Sequence, residues 1–93
     1  MGSHAINGRV GRLEISYDED ADVLYVSVGQ PRIADTFDIE NGLLLRKDPE
    51  TQEIVGATIL HYGGLFKKLL DRSWVKHLNL PDDLERYLLN PPG

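Results

Sequence analysis

The strongest constraint on the fold is an alternation of apolar and polar residues that runs from Leu13 to Leu60. Successive side chains of a β-strand point to opposite faces, so a period of two is typical of strands with one buried face. Five segments follow this pattern: LEISY (13–17), VLYVSV (23–28), IADTFDIE (33–40), LLLRKD (43–48) and EIVGATIL (53–60). Because the links between them are short, an antiparallel five-stranded meander is the simplest topology.

Turn-forming residues mark the ends of these strands. Asn41-Gly42 is the clearest signal, because both residues tolerate the positive φ that a two-residue type I′ hairpin requires. Asp48-Pro49-Glu50-Thr51 has proline in its preferred position of a type I turn. Gly56 lies inside the last strand, where a glycine indicates a bulge or the close approach of another backbone.

The periodicity changes after Gly63-Gly64. Residues 65–72 (LFKKLLDR) have apolar side chains at helical spacing and predict a helix, whereas residues 73–80 (SWVKHLNL) fit either a strand or a loose helix. Pro81 followed by two aspartates indicates a helix N-terminus, and Asn90-Pro91-Pro92 ends that helix. The chain therefore predicts an α+β fold in which one or two short helices pack on one face of the sheet.

A chain of 93 residues suits a single domain. Met1–His4 resembles sequence left by an expression vector, so we assign residues 1–8 to a vector-derived or disordered N-terminus and residues 9–93 to one β-rich domain with a C-terminal helical segment. The chain has no cysteine, which excludes disulfides, thiolate metal sites and a cysteine nucleophile. No apolar run approaches the roughly 20 residues of a membrane-spanning helix, and no export signal is present, which favours the cytoplasm.

Charge is distributed unevenly along the chain. The formal net charge of −5 disfavours nucleic acid as a partner, because phosphate contacts need an excess of Lys and Arg. Residues 14–53 contain eleven acidic and three basic side chains, whereas residues 63–80 have a local charge of +3. Solvated surfaces explain this asymmetry, and an acidic surface that binds a basic protein explains it too.

The most acidic stretch, DEDAD, begins at Asp18. Asp18, Asp20 and Asp22 match the D-x-D-x-D opening of a calcium-binding loop. The glycine and glutamate expected at the sixth and twelfth positions of such a loop are replaced by Val23 and Gly29. We therefore interpret the stretch as a hairpin turn in which Asp18 bonds nearby amides, with a divalent-cation site as the weaker alternative, and we predict no metal and no cofactor.

A second candidate site is His61-Tyr62-Gly63-Gly64. Adjacent glycines before a helical segment can present free amides to a phosphate, although no Lys-Ser/Thr pair follows them as in a P-loop. A flexible joint between strand and helix explains the glycines equally well. No nucleophile, base and orienting group occur at useful spacings, so we predict no catalytic residue. A small ligand-binding, metal-binding or enzymatic cleft at residues 61–64 remains the alternative function.

An open sheet leaves its edges and part of one face exposed, and both are commonly covered by a partner. Tyr25, Phe37, Trp74 and Leu78 are the large apolar side chains that we expect on such an interface. We therefore predict a non-enzymatic module that self-associates, most simply as a homodimer, or that binds another protein. No nucleic-acid or membrane partner is expected.

The segment YDEDADVLYV (17–26) resembles the opening motif Y-D-x-x-A-D-x-L-Y of the bacterial domain-of-unknown-function family numbered 2283. Residues 34–36 and 54–60 are similar to the second and third blocks of that family, so the resemblance covers residues 13–60. The chain departs from the family pattern at Arg46-Lys47 and at residues 49–52, where the family often has an Asp-rich loop that contains glycine. The resemblance implies a small bacterial or archaeal β-rich domain without defined catalytic residues. An antitoxin-like role is what the genomic setting of some members implies.

Overall fold

The computed structural model describes residues 5–90 and contains one antiparallel β-sheet. Its six strands are β1 (Ala5–Val10), β2 (Leu13–Asp18), β3 (Val23–Val28), β4 (Asp35–Glu40), β5 (Leu43–Lys47) and β6 (Ile54–Leu60). Two 3₁₀ helices, Phe66–Lys68 and Ser73–Leu78, and helix α1 (Asp82–Leu89) follow the sheet. An antiparallel sheet with a few short helices confirms the α+β class. Met1–His4, interpreted above as vector sequence, lies outside the described residues.

Strand β1 makes the sheet six-stranded, so the prediction of five strands is wrong. It pairs with β2 from Ala5 opposite Asp18 to Val10 opposite Leu13. Residues 5–8, assigned above to a vector-derived or disordered terminus, are therefore part of the sheet. The sequence AINGRV contains Asn and Gly, which are weak strand formers, and its alternation is too short to stand out. Pairing with β2, rather than a local preference, explains why this segment is a strand.

The strand order is β1-β2-β3-β6-β5-β4, so the predicted meander of consecutive strands is also wrong. Strand β6 returns to pair with β3, with Ala57 opposite Val26, and β4 forms the far edge. The crossover from β3 to β4 is attached to β5 by a 2.9 Å hydrogen bond from Nη2 of Arg46 to the carbonyl oxygen of Arg32. This order places β6, which is almost wholly apolar, at the centre of the sheet, where it is most completely buried.

The turns agree with the local sequence signals. Asn41 and Gly42 have φ angles of 54° and 82°, the left-handed conformation that a type I′ hairpin requires. Oδ1 of Asp48 accepts hydrogen bonds from the amides of Glu50 (2.8 Å) and Thr51 (3.1 Å). The predicted turns between β4 and β5 and between β5 and β6 are therefore confirmed.

Gly56 lies at a β-bulge and also at a close approach between backbones, the two features that a glycine inside a strand indicates. The register between β5 and β6 shifts next to it, where Arg46 pairs with Gly56 and Lys47 pairs with Ile54. A Cβ atom at Gly56 would lie only 2.8 Å from the carbonyl oxygen of Val26. A bulge and a close approach between backbones thus occur together at this residue.

The core lies between one face of the sheet and the C-terminal segment. The buried side chains from the sheet are Leu13, Leu24, Val26, Leu43, Leu45, Ala57 and Ile59, and those from the C-terminal segment are Phe66, Val75, Leu80, Leu84 and Leu88. Complete burial of a side chain of this size contributes about 1.5–3 kcal/mol. The three helical segments cover this face alone, so the opposite face has no covering helix within residues 5–90.

The helix predicted over residues 65–72 is wrong, because only Phe66–Lys68 forms a single 3₁₀ turn. Leu69 has an extended backbone (φ −63°, ψ 130°), and Leu70 is fully exposed. The guanidinium group of Arg72 donates to the carbonyl oxygens of Phe66 (3.3 Å) and Leu69 (3.2 Å). A side chain therefore bonds the carbonyl groups that the amides of a continuing helix would have bonded.

Residues 73–80, for which strand and helix were both open, contain the 3₁₀ helix Ser73–Leu78. Asn79 ends this helix in the left-handed conformation, with φ 56°. Helix α1 begins directly after Pro81 with acidic residues in its first turn, as the sequence predicts. An ion pair between Nε of Arg12 and Oδ2 of Asp83 (2.6 Å) connects the β1–β2 turn to the start of α1.

Candidate functional site

Asp22 connects the β2–β3 hairpin to the loop that follows β6. Its Oδ1 accepts hydrogen bonds from the Tyr17 hydroxyl (2.6 Å) and the Gly63 amide (2.8 Å), and its Oδ2 accepts one from the Gly64 amide (2.9 Å). The backbone of Asp22 adopts φ 57°, which aspartate tolerates better than most residues. These bonds, led by the one from Tyr17 and then the one from Gly63, lower the pKa of Asp22 below its ordinary value, so the carboxylate is ionised at neutral pH.

The amides of Gly63 and Gly64, which the sequence suggested as a phosphate cradle, are occupied by this carboxylate. Paired glycine amides form a concave donor site that favours negative charge. Asp22 supplies that charge from within the protein. The glycine pair is therefore a binding site for a side chain of the same chain.

Asp18, Asp20 and Asp22 do not converge on one point. Oδ1 of Asp18 accepts hydrogen bonds from the amides of Asp20 (3.1 Å) and Ala21 (3.2 Å), which is the geometry of an Asx turn. Asp20 is exposed, and Asp22 bonds the two glycine amides. Within residues 5–90, no group of three or more His, Cys, Asp or Glu side chains is placed to hold a metal ion.

His61 and Tyr62 diverge, so residues 61–64 do not line one cleft. His61 is exposed and has a φ of 54°, and its carbonyl oxygen accepts from the amide of Leu65 at 2.7 Å. Tyr62 is buried, and its ring packs edge-on against Tyr17 (5.7 Å between centroids) and stacks with Phe66 (6.2 Å). Of the predicted ligand-binding residues, Tyr62 alone is directed into the protein.

Tyr62 borders a cavity of about 460 Å³ between the β1–β2 hairpin and the C-terminal segment. We call it the tyrosine cavity, and its principal lining residues are Gly8, Ile15, Tyr17, Tyr62, Lys67 and Tyr87. Sequence reasoning missed it because β1, which forms one wall, was not predicted. A glycine in the middle of a strand is the signal that could have indicated it, since such a glycine leaves space on one face of a sheet.

The three phenol groups of the tyrosine cavity are protonated at neutral pH. The hydrogen bond to Asp22 raises the pKa of Tyr17 to about 12. Burial, and then the neighbouring Tyr87, raises the pKa of Tyr62 to about 12, and burial also raises the pKa of Tyr87. Each of these hydroxyl groups can therefore donate a hydrogen bond.

The four predicted interface residues do not share one surface. Tyr25 is 47% exposed on the face of the sheet that no helix covers. Phe37 is opposite Leu45 and so lies on the helix-covered face, at the edge strand, with Nζ of Lys47 5.2 Å from its ring centroid. Trp74 and Leu78 belong to the second 3₁₀ helix and pack partly against the core.

Tyr25 lies at the centre of a surface that we call the open face, the uncovered side of the sheet. Directly opposed residues of antiparallel strands point to the same face, and the pairing extends from Ser16 through Tyr25 and Thr58 to Leu44. The next pair, Val23 and Leu60, also lies on this face. The centre of the open face, defined by Val23, Tyr25, Leu44, Thr58 and Leu60, contains no charged side chain.

Comparisons with known proteins identify the family of the chain. A family model matches residues 14–62, slightly more than half of the chain, which includes Tyr17 and Asp22 and confirms the resemblance noted in the sequence. No curated protein and no solved structure gives a significant match. In residues 5–90 no helix has the length and apolar character needed to cross a membrane. The chain belongs to the family described as "Protein of unknown function (DUF2283)".

Proposed function

We propose that the protein is a protein-binding module that self-associates through the open face of its sheet. The observation that carries this proposal is the position of Tyr25, a large aromatic side chain in the middle of the sheet that is left 47% exposed. Tyrosine is enriched among the residues that dominate protein interfaces, because it combines a large apolar area with a polar tip.

The composition of the open face supports this proposal. Leu60, which is 36% exposed on β6, adds a second exposed apolar side chain next to Tyr25 on β3, whereas its pair Val23 is buried. An uncharged centre surrounded by polar groups is the usual anatomy of a protein interface. The position of this centre in the middle of the six strands suits a partner that covers the whole face.

Charges at the margin favour a second copy of the chain as the partner. Glu14, which pairs with Ser27, and Asp38, which pairs with Leu44, place negative charge on the open face, whereas Arg46, which pairs with Gly56, places positive charge there. A surface that carries both signs at its margin can be complementary to itself about a two-fold axis.

The size of the open face approaches that of a small dimer interface. Six strands at about 4.8 Å spacing and six residues at about 3.3 Å rise give a face of roughly 24 by 20 Å. Side chains project from the sheet, so the accessible area of the face is larger than this flat area. It therefore comes closer to the roughly 800 Å² that each partner contributes to a standard interface. Packing two such faces against each other would form a two-layer sandwich of sheets.

Tyr25→Lys tests the proposal, with Phe37→Lys as the matched control. The two aromatic side chains are exposed to a similar extent, 47% and 42%, but lie on opposite faces of the sheet. We expect the wild-type protein to sediment as a dimer at micromolar concentrations. A buried lysine ammonium at the interface should weaken the dimer at least about tenfold in Tyr25→Lys, and Phe37→Lys should leave it unchanged.

Sedimentation velocity over a range of concentrations measures the dissociation constant of each variant, and circular dichroism verifies that each is folded. A wild-type protein that stays monomeric at high micromolar concentration contradicts the proposal. Dissociation by Phe37→Lys but not by Tyr25→Lys also contradicts it, and would move the interface to the acidic edge strand β4, where a basic protein partner fits better.

A further inference from the structure

Gly8 opens the tyrosine cavity on the helix-covered side of β1. It pairs with Ile15, whose side chain packs against the core, so a side chain at position 8 would point to the same side. A Cβ atom built on Gly8 would meet no heavy atom within 4 Å. The missing side chain at position 8 therefore contributes part of the open space next to the core.

The walls of the tyrosine cavity combine an apolar floor with hydrogen-bond donors. Ile15 and Leu24 contribute apolar side chains, and the ring of Tyr62 packs between Tyr17 and Phe66. The hydroxyl groups of Tyr62 and Tyr87 have no hydrogen-bond partner among residues 5–90. A ligand in the cavity can accept from them without displacing an existing bond.

Charge in the tyrosine cavity is positive. Nζ of Lys67 lies 5.7 Å from the centroid of the Tyr62 ring and makes no ion pair in the described part of the chain. Arg9 borders the cavity but forms a 3.4 Å ion pair with Glu14 on the open face, so the positive charge of the cavity comes from Lys67. No aspartate or glutamate of residues 5–90 lines the cavity. The carboxylate of Asp22 bonds the hydroxyl of Tyr17, which lines the cavity, and the two glycine amides.

We propose that the tyrosine cavity binds a small carboxylate with an apolar body. The apolar body lies over Gly8 and Ile15, and the carboxylate accepts hydrogen bonds from the ammonium group of Lys67 and from the phenol groups of Tyr62 and Tyr87. A volume of about 460 Å³ is within the usual range of small-molecule pockets, and their lining is likewise mainly apolar with a few polar groups. An ammonium group that makes no ion pair within the described residues favours an anion over a neutral or cationic ligand of the same shape.

This inference does not depend on the proposed dimer, because the tyrosine cavity and the open face lie on opposite sides of the sheet. The test uses phenylacetate and octanoate as anionic probes, with phenylacetamide and phenethylamine as the neutral and cationic counterparts of phenylacetate. Isothermal titration calorimetry measures each affinity on the full chain. We expect phenylacetate to bind at least about tenfold more tightly than phenylacetamide, because only the anion gains charge-assisted hydrogen bonds.

Two variants locate the binding. Gly8→Leu places a side chain where the apolar body of the ligand would lie and should abolish binding, and Lys67→Met should weaken it about tenfold while leaving the apolar wall in place. Lys68→Met is the matched control, since Lys68 is the exposed neighbour of Lys67 and does not line the cavity. If Gly8→Leu does not fold, Lys67→Met compared with Lys68→Met still decides the question.

Three outcomes would overturn the proposal. One is the absence of binding by both carboxylates at millimolar concentration, and another is equal binding of phenylacetate and phenylacetamide. The third is equal affinity in Lys67→Met and Lys68→Met. The dimer is measured separately on Tyr25→Lys, so failure of one proposal leaves the other standing.

Discussion

Asp22 and Gly63 are 41 positions apart in the chain and are joined by a 2.8 Å hydrogen bond from the amide of Gly63 to Oδ1 of Asp22. The same oxygen accepts from Tyr17, so one carboxylate connects β2, the hairpin turn and the end of β6. Tyr17 and Asp22 are the first and sixth residues of the motif YDEDADVLYV (17–26), which lies within the residues that the family model matches. The structure thus gives the motif a physical role in closing the hairpin onto the centre of the sheet.

Asp22→Asn should lower the free energy of unfolding by about 1–2 kcal/mol at pH 7, because a carboxamide offers one acceptor oxygen in place of two and its NH₂ group opposes an amide donor. Asparagine tolerates the left-handed backbone that Asp22 adopts, so the change isolates the loss of charge and acceptor. Urea unfolding, followed by circular dichroism, measures the difference. An unchanged free energy would show that these bonds contribute nothing net.

The effect of Asp22→Asn should depend on pH with a definite sign. The native pKa of Asp22 is below its ordinary value of 3.8, so the unfolded chain takes up the proton first. The stabilisation is therefore complete above the unfolded pKa and is lost as the pH falls through the native pKa. Unfolding at a series of pH values should show the difference between wild type and Asp22→Asn shrinking below about pH 4. A difference that persists undiminished at the lowest pH would argue against this linkage.

Tyr17→Phe should cost about 0.5–1.5 kcal/mol, since it removes one hydrogen bond and leaves the two glycine amides on Asp22. The double variant with Asp22→Asn should cost less than the sum of the two single changes, because the Tyr17 hydroxyl bonds a neutral carboxamide oxygen more weakly than a carboxylate and Asp22→Asn has already lost that part of the bond. A double-mutant cycle from urea unfolding gives this coupling. Strict additivity would mean that the 2.6 Å hydrogen bond gains nothing from the charge of Asp22.

Gly56→Ala should be destabilising by about 1–3 kcal/mol, because its Cβ would meet the carbonyl oxygen of Val26 at 2.8 Å and the backbone must move. Gly8→Ala is the control, since its Cβ would enter open space. Alanine at position 8 should leave stability within about 0.5 kcal/mol of wild type or raise it slightly. Thermal unfolding of both variants checks the contrast, and equal losses at the two positions would contradict it.

Arg72→Leu should lower the free energy of unfolding by about 1–3 kcal/mol, because it removes the guanidinium donor from the carbonyl oxygens of Leu69 and Leu89. The guanidinium group bonds Phe66 and Leu69 and also the carbonyl oxygen of Leu89 in α1 (3.2 Å), so it ties two helical segments together. Arg72→Lys should recover only part of the loss, since an ammonium group cannot reach both sides as a planar fork does. Lys76→Leu, at an exposed position nearby, provides the control in the same unfolding assay.

Local signals in the sequence were sufficient to predict the strands between Leu13 and Leu60 and the turns between them. These signals are the alternation of apolar and polar residues, Asn41-Gly42 and the proline of the β5–β6 turn. Each depends on only a few neighbouring residues, so it can be recognised without knowledge of the rest of the chain. The same signals were insufficient for residues 65–72. Apolar spacing permitted a helix there, but the backbone becomes extended at Leu69 and the side chain of Arg72 bonds the carbonyl groups of this segment.

The sequence by itself determined the strand segments, the Asx turn at Asp18 and the family. Only the tertiary structure decided that β6 lies beside β3, that β1 completes the sheet, and that Gly63 and Gly64 bond Asp22. It also decided that Gly8, Tyr62 and Tyr87 border one cavity and that Phe37 faces away from Tyr25. The physical reason is the distance along the chain over which each interaction acts. Periodicity and turn chemistry depend on neighbouring residues. These tertiary relationships depend instead on the burial of the apolar β6 at the centre of the sheet, which brings together residues that no local pattern connects.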